Sequence, residues 1–399
     1  MRVLLSTIGS RGEVQPTLAL GVELVALGAE VRVCAPPDFR ELIAGFGLPF
    51  VPVGPEVRKV DQTRGLPTPE ERRAMIRGTV EDQFDALGPA ARGCAVVVGC
   101  GALQIAAHTI ADQLGIPYVY AAFAANTLPS DHLAPPPLGL GVDTTADIPT
   151  QWQQDAQRWN DVWLEALNLH REQAGSEPIT DVQPYIFTDH PWLAADPVLG
   201  PWPTPSALNV WQPGAWLAHD ERPLSRELQD FLSAGDPPIY FGFGSMQVAP
   251  ETARAAIDAA RALGRRAIIL RGWAELGLVD DAPDCLAVGE VNHRALFPRV
   301  AAAVHHGGAG TTATVASAGA PQVVVPQRFD QFYWAQRVED LGIGVAHAAG
   351  QQPTTDSLTD ALRRVLTPEI GDRARSIAPT VRADGAVQAA KRVVELGTR

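Results

Sequence analysis

The sequence predicts an α/β protein built of two doubly wound, Rossmann-like halves. Three observations lead there. At 399 residues the chain exceeds one ordinary core, so two domains of about 200 residues each are expected. Short apolar runs suited to buried parallel strands alternate with helical spacings along most of its length. The order strand, glycine turn, helix, strand appears early and again late.

The first unit is the clearest. Val3–Thr7 is apolar enough to be covered on both faces, and Gly9, Ser10, Arg11, Gly12 and Glu13 form the turn after it. Glu13 to Leu27 has helical spacing, with Leu18, Val22 and Val25 on one face and Gly28 as the stop. Val31–Ala35 is the returning strand. Residues 237–273 repeat the plan: an apolar strand, the Gly242-Phe243-Gly244-Ser245 turn, a helix, Gly264 and a strand. A second echo pairs residues 94–122 with 301–325, each a strand, a glycine turn, a helix, a Gly-x-Pro break and a strand.

Insertions at about 54–80 and 125–190 lengthen the first half; they are rich in Pro, Trp and Gln and lack sheet patterning. Trp152, Trp159 and Trp163 read as one face of an amphipathic helix packed on the domain. Residues 201–228 have the proline density of a connector. The tail after about 381 is helical with no strand beyond it. These signals give a first domain over 1–205 and a second over 220–380, with the helix at 381–399 packing back on the first.

Composition narrows the function. The 46% hydrophobic fraction is that of a soluble globular protein. A net charge of −13 argues against nucleic acid or an anionic membrane as partner, since either needs a concentrated basic surface. No apolar run reaches the roughly 20 residues of a membrane span, and the first thirty residues carry no secretion signal. Cys34, Cys94, Cys100 and Cys285 show no ligand spacing and read as reduced structural residues, which puts the chain in the cytoplasm. Asp280, Asp281 and Asp284, around Pro283, read as a solvated turn rather than a cation site.

Ligands of open α/β sheets bind beyond the carboxyl ends of the strands. Four glycine turns fall there: Gly9–Glu13, Gly99–Gly101, Gly242–Ser245 and Gly307–Thr311. Bare backbone lets a ligand approach, and a helix start supplies N–H groups with a positive dipole end. "HHGGAGTT" sets His305 and His306 before such a start, with Thr311 and Thr312 available to cap it, and a diphosphate is the expected guest. His305 is expected to reach the ligand and His306 to pack. No Walker sequence and no Gly-x-Gly-x-x-Gly occur at these turns, which weakens ATP and nicotinamide readings. Neither histidine has a metal-ligand partner at i+3 or i+4, so no metal is expected.

These motifs, with Gly319-Ala320-Pro321, Asp330-Gln331, "FGFGSM" and "RGWAEL", resemble family 1 glycosyltransferases of the GT-B fold. "STIGSRGEVQP" and "PGAW…DERPLS" are similar to those that glycosylate vancomycin-type glycopeptide aglycones. The resemblance covers essentially the whole chain. It implies two domains facing each other across a cleft, the second holding a nucleotide-diphospho-sugar and the first a heptapeptide aglycone. The enzyme would be an inverting, metal-independent hexosyltransferase, monomeric, with no cofactor beyond the co-substrate.

Residue by residue, the resemblance implies that His305 and the backbone of Gly307, Gly308, Ala309, Gly310 and Thr311 hold the diphosphate. Ser10, Gly12 and Ser245 reach it from other turns, and Arg11 either meets the phosphate or holds the Glu13 carboxylate. Trp273 and Val291 line the nucleobase pocket. Asp330 and Gln331 bind sugar hydroxyls, and Glu13 stands where the group has its catalytic base. Glu13 has a plainer reading as a first-turn partner of the helix dipole. Many family members carry a ribose-binding glutamate eight residues after the first histidine, and here that position is Ala313. The Asp-Gln pair suits a fully hydroxylated hexose, which favours UDP-glucose or UDP-N-acetylglucosamine over a dTDP-linked epivancosamine-type donor. A UDP-sugar 2-epimerase and a non-catalytic nucleotide-sugar-binding protein are the alternatives.

Overall fold

A computed structural model describes residues 1–58, 68–137, 143–246, 248–249 and 251–398. Residues 59–67 and 138–142, inside the two expected insertions, lie outside the described residues. The polypeptide divides into two compact units. One comprises Met1–Ala195, Trp202–Ala218 and Asp384–Arg399, the other Asp196–Pro201 and His219–Ala383.

Each unit is built on a six-stranded parallel sheet. The first contains β1 (Arg2–Thr7), β2 (Glu30–Ala35), β3 (Phe50–Pro52), β4 (Val96–Cys100), β5 (Tyr118–Ala122) and β6 (Trp192–Leu193), in the order β3-β2-β1-β4-β5-β6. The second contains β7 (Ile239–Gly242), β8 (Ala267–Leu270), β9 (Cys285–Val288), β10 (Ala302–His305), β11 (Gln322–Val324) and β12 (Gly344–Ala346). Its order, β12-β11-β10-β7-β8-β9, is the same one read from the other edge. This is the doubly wound arrangement, in which the strand order reverses between β1 and β4 and between β7 and β10. The four glycine turns stand at the carboxyl ends of these four strands, with Gly99 and Gly242 still inside β4 and β7. The sequence echo is thus a topological one: each half brings two bare turns to its own switch point.

Central strands are apolar throughout because helices cover both faces: Val3, Leu4, Leu5, Val96, Val97 and Val98 are fully buried, as are Ile239, Phe241, Ala302, Ala303 and Val304. The first helix, Arg11–Ala26, buries Val14, Leu18, Leu20 and Leu24, whereas Val25 is 49% exposed. The expected Leu18–Val22–Val25 face is therefore off by part of a turn. Gly21 sits inside it, where a Cβ would come within 2.8 Å of Leu48 Cδ1. The C-terminal helix, Gly385–Leu396, lies against this first helix.

The described parts of the insertions are largely helical. Pro69–Ala91 starts with a capping box between Thr68 and Glu71. Ile148–Trp159 and Glu165–Gln173 are joined by a π-turn, Asn160–Leu164; Trp152 and Trp159 are buried and Trp163 half-buried. The short excursion Asp196–Pro201 had no sequence signal. Arg337 fastens it within the second unit, its Nε donating to the Leu199 carbonyl at 2.8 Å. The backbone N–H of Arg382 donates to Asp196 Oδ2 at 2.7 Å. Asp280 and Asp284 are tied to Arg261, which holds the Asp280 carboxyl down at about 2. Among the described residues no three or more His, Cys, Asp or Glu side chains gather as a metal site, and no helix is long and apolar enough to cross a membrane.

Candidate functional site

In the second unit, the expected donor-side residues other than His305 stand past the carboxyl ends of strands: Ser245 after β7, Trp273 after β8, Val291 after β9, the Gly307–Thr311 turn after β10, and Asp330 and Gln331 after β11. Backbone geometry binds the first two turns together. Gly272 (φ +57°) packs on the Gly244 carbonyl, which a Cβ would meet at 2.6 Å, and the Trp273 N–H donates to that carbonyl at 3.0 Å. Trp273, Ser245 and Val291 are half-buried. Val291 packs on the cluster of Leu296 and Phe297, and Asn292 beside it donates to the Asp220 and Arg222 carbonyls at 2.9 Å.

The histidine assignment is reversed by the structure. His305 is the last residue of β10, between Gly242 of β7 and Val324 of β11, and is 0% exposed. Both ring nitrogens are engaged: Nε2 lies 2.9 Å from Gln322 Oε1, and Nδ1 accepts the Gly307 N–H at 3.1 Å. Burial pushes its pKa down to about 4. A buried ring with both nitrogens occupied cannot also bind a phosphate. Gly307 is corrected with it, since its N–H is spent inward and its φ of +91° turns the chain where a Cβ would strike Val324 Cγ1 at 2.7 Å.

His306 is the residue that faces the turns. Its ring lies between two glycines: a Cβ on Gly244 would come within 3.0 Å of Cε1, and one on Gly308 within 2.6 Å of Nε2. Burial pushes its pKa down to about 3, with His305 adding to that and the Gly242 backbone opposing it, so the imidazole is neutral at ordinary pH. Below it begins the Ala309–Ser317 helix, whose N-cap is Gly308 with no side-chain cap bond. The expected threonine cap is absent: Thr312 Oγ1 donates backward to the Gly308 carbonyl at 3.0 Å. The helix start thus keeps its dipole end without a side-chain partner.

Counting eight residues from His306 instead of His305 moves the ribose position from Ala313 to Thr314. Ala313 is 4% exposed, on the buried side of the helix. Thr314 is half-buried, its hydroxyl donating to Gly310 O at 2.7 Å. Neither position supplies a carboxylate.

Asp330 and Gln331 begin the Gln331–Asp340 helix and play different parts. Asp330 is half-buried and accepts Trp334 Nε1–H at 3.0 Å. Gln331 is buried; its Oε1 accepts the Gln327 and Arg328 N–H groups at 2.9 and 3.2 Å, and its Nε2 faces Met246 Sδ at 3.4 Å. Its acceptor is committed to shaping the loop.

In the first unit, Glu13 is half of a capping box. Its Oε2 accepts from Ser10 N–H at 2.7 Å and from Ser10 Oγ–H at 2.8 Å, while Ser10 Oγ accepts the Gly12 N–H at 3.2 Å. Bare backbone makes room for it: a Cβ on Gly9 would lie 2.6 Å from Glu13 Cδ, and one on Gly101 would lie 3.2 Å from Glu13 Cγ. Arg11 Nε reaches Gln15 at 3.3 Å. Ser10, Arg11 and Gly12 thus serve this helix start in the structure.

Comparison with known proteins fits this architecture. The glycosyltransferase VinC in complex with dTDP superposes with a TM-score of 0.72 at 20% identity, covering 100% of both chains. The glycotransferase of kitacinnamycin gives 0.73 at 18% identity, covering 99% of this chain and 98% of that one. Residues 3–130 match the glycosyltransferase family 28 N-terminal domain, and residues 256–395 match the C-terminal domain of the erythromycin biosynthesis protein CIII-like family. Fold and family matches together define a GT-B glycosyltransferase. A vancomycin aglycone glucosyltransferase of Amycolatopsis orientalis is 50% identical over 402 residues, covering 100% of this chain and 98% of its own. A dTDP-epi-vancosaminyltransferase of the same organism is 44% identical over 385 residues, covering 94% and 93%. The chain belongs to the glycopeptide glycosyltransferase family.

Proposed function

We propose that the enzyme moves a hexose from UDP-glucose or UDP-N-acetylglucosamine to a hydroxyl of a heptapeptide aglycone, with inversion at the anomeric carbon. The observation that carries this reading is the Ala309–Ser317 helix start, uncapped at Gly308 and flanked by His306. The acceptor oxygen attacks the anomeric carbon as the bond to the diphosphate oxygen breaks, and the diphosphate leaves with the bonding pair. Developing charge on that leaving group is what a helix dipole, backbone N–H groups and an imidazole N–H stabilise. In this reading no divalent metal takes part, and rates in excess EDTA should match those without it. Glu13 is the proposed base for the acceptor proton, its Oε2 held by the two Ser10 hydrogen bonds. Asp330 meets the sugar, with Gln331 holding the loop beneath it. The four free, buried cysteines support a reducing compartment, the cytoplasm.

A second reading takes a dTDP-linked epivancosamine-type donor. It is favoured by Thr314, which puts no carboxylate where the resemblance expects the ribose to be gripped. A donor panel against one heptapeptide aglycone, read by mass spectrometry, decides between them. A hexose increment with UDP donors supports the first reading; product from dTDP donors alone replaces it with the second. Turnover of UDP-N-acetylglucosamine without acceptor would instead support the epimerase alternative.

A further inference from the structure

We infer that His305 and Gln322 are positioning residues, a buried clamp that sets the shape of the turn on which His306 and the open helix start stand. The inference rests on the reading that the donor diphosphate binds at that turn. Three elements meet in the clamp. His305 ends β10, Gln322 begins β11, and Thr312 lies in the first turns of the Ala309–Ser317 helix. His305, Gln322 and Thr312 are 0%, 0% and 1% exposed.

The polar atoms form one directed chain. Gly307 N–H donates to His305 Nδ1 at 3.1 Å, which requires that nitrogen to be bare. The proton of the neutral ring therefore sits on Nε2, a tautomer assigned from the network. Nε2–H then donates to Gln322 Oε1 at 2.9 Å, and Gln322 Nε2 donates to the Thr312 carbonyl at 3.4 Å. Each donor meets an acceptor, and reversing any one member leaves two donors or two acceptors face to face. Burial pushes the His305 pKa down, so the ring stays in the neutral form that the chain of bonds requires.

The clamp explains two residues that the transfer chemistry does not use. A histidine at a fully buried strand end and a glutamine in an apolar strand each cost desolvation unless paired. Here they pair with each other and with backbone at both ends of the Gly307–Thr312 bend. The result is that Gly307 N–H is fixed inward. The chain then leaves β10 with φ +91° at Gly307, and Gly308 is the N-cap beside the His306 ring.

Two substitutions separate the halves of the ring. Asn at 305 places an acceptor near the Nδ1 position and can keep the Gly307 bond; Gln at 305 reaches toward Gln322 and leaves Gly307 unpaired. The probes are UDP and dTDP, titrated by calorimetry into the full-length chain and into His305→Asn, His305→Gln and His306→Ala. The clamp predicts that His305→Gln weakens binding by about tenfold, while His305→Asn, which keeps the Gly307 bond and loses the one to Gln322, binds within about threefold of the parent at a lower melting temperature. If His306→Ala loses affinity while His305→Gln binds like the parent, the clamp is wrong and the diphosphate site stands. If His306→Ala also binds like the parent, the site itself is wrong and the clamp falls with it. Nitrogen-15 spectra of histidine-labelled parent protein test the tautomer even where a variant fails to fold. A bare Nδ1 with protonated Nε2 on His305 is expected, and a protonated Nδ1 at neutral pH would overturn the inference.

Discussion

The turns after β1 and after β10 each stand at the switch point of a sheet of one topology, β1 on one side of that point and β10 on the other, yet they treat their helices in opposite ways. After β1, Ser10 and Glu13 close the helix start with a reciprocal capping box. After β10, the N-cap is a glycine with no side-chain cap bond, and burial holds the His306 ring beside it neutral. A carboxylate already standing on the first terminus occupies the place that a phosphate would take and repels one nearby. The second terminus has no such occupant. Equivalent topology therefore yields one site that carries a negative charge of its own and one suited to receive it. A glycosyl transfer needs both: a base for the acceptor and a cradle for the leaving diphosphate.

The largest effect is expected at the first turn. Glu13→Gln keeps the capping box, since glutamine accepts the same bonds, but removes proton acceptance. Turnover should fall by about 10²–10⁴-fold with nucleotide affinity and melting temperature nearly unchanged. Full activity in this variant would reduce Glu13 to a cap and end the contrast in charge chemistry.

Acid sharpens the second turn. The unfolded chain protonates His305 near its ordinary 6.5, but the folded chain resists until about 4. Across that window the unfolded state binds more protons, so stability is lost as pH falls. The loss is about 1.4 kcal/mol per pH unit, on the order of 3 kcal/mol by its lower end. Melting temperature against pH should be flatter in His305→Asn than in the parent. Parallel curves would mean that His305 is not held neutral.

A smaller effect comes from making the second turn like the first. Gly308→Ser supplies the missing cap, and its Cβ would press on His306 Nε2 from 2.6 Å. Helix stability should change by only a few tenths of a kcal/mol, whereas nucleotide affinity should fall about tenfold. Undiminished affinity would show that the open terminus is not what the nucleotide uses.

Much of this contrast was legible in the sequence. Apolar strand runs and helical spacings gave the two-sheet plan, because burial on both faces leaves a strong compositional trace. The glycine turns marked the switch points. What stayed hidden depended on a shift of one residue. Which of His305 and His306 faces the turn is decided by where β10 ends, and adjacent side chains there point opposite ways. The same slip moves the position that the resemblance gives to the ribose from Thr314 to Ala313. Gln322 gave no signal because its partner is seventeen residues away and on another strand. Gln331 looked like a ligand acceptor until its carbonyl was found on Gln327 and Arg328. Capping left a visible pattern in Ser10-x-x-Glu13, but it did not distinguish a helix cap from a catalytic base.

The most direct test of the open terminus is calorimetric titration of UDP and dTDP into the parent and into His306→Ala. A hydrogen bond from the imidazole to a charged phosphate oxygen contributes roughly 1.5–3 kcal/mol. Affinity for the nucleotide the enzyme uses should therefore fall by about one to two orders of magnitude in the variant. Equal affinity in parent and variant, with both folded, would contradict the placement of the diphosphate beside His306.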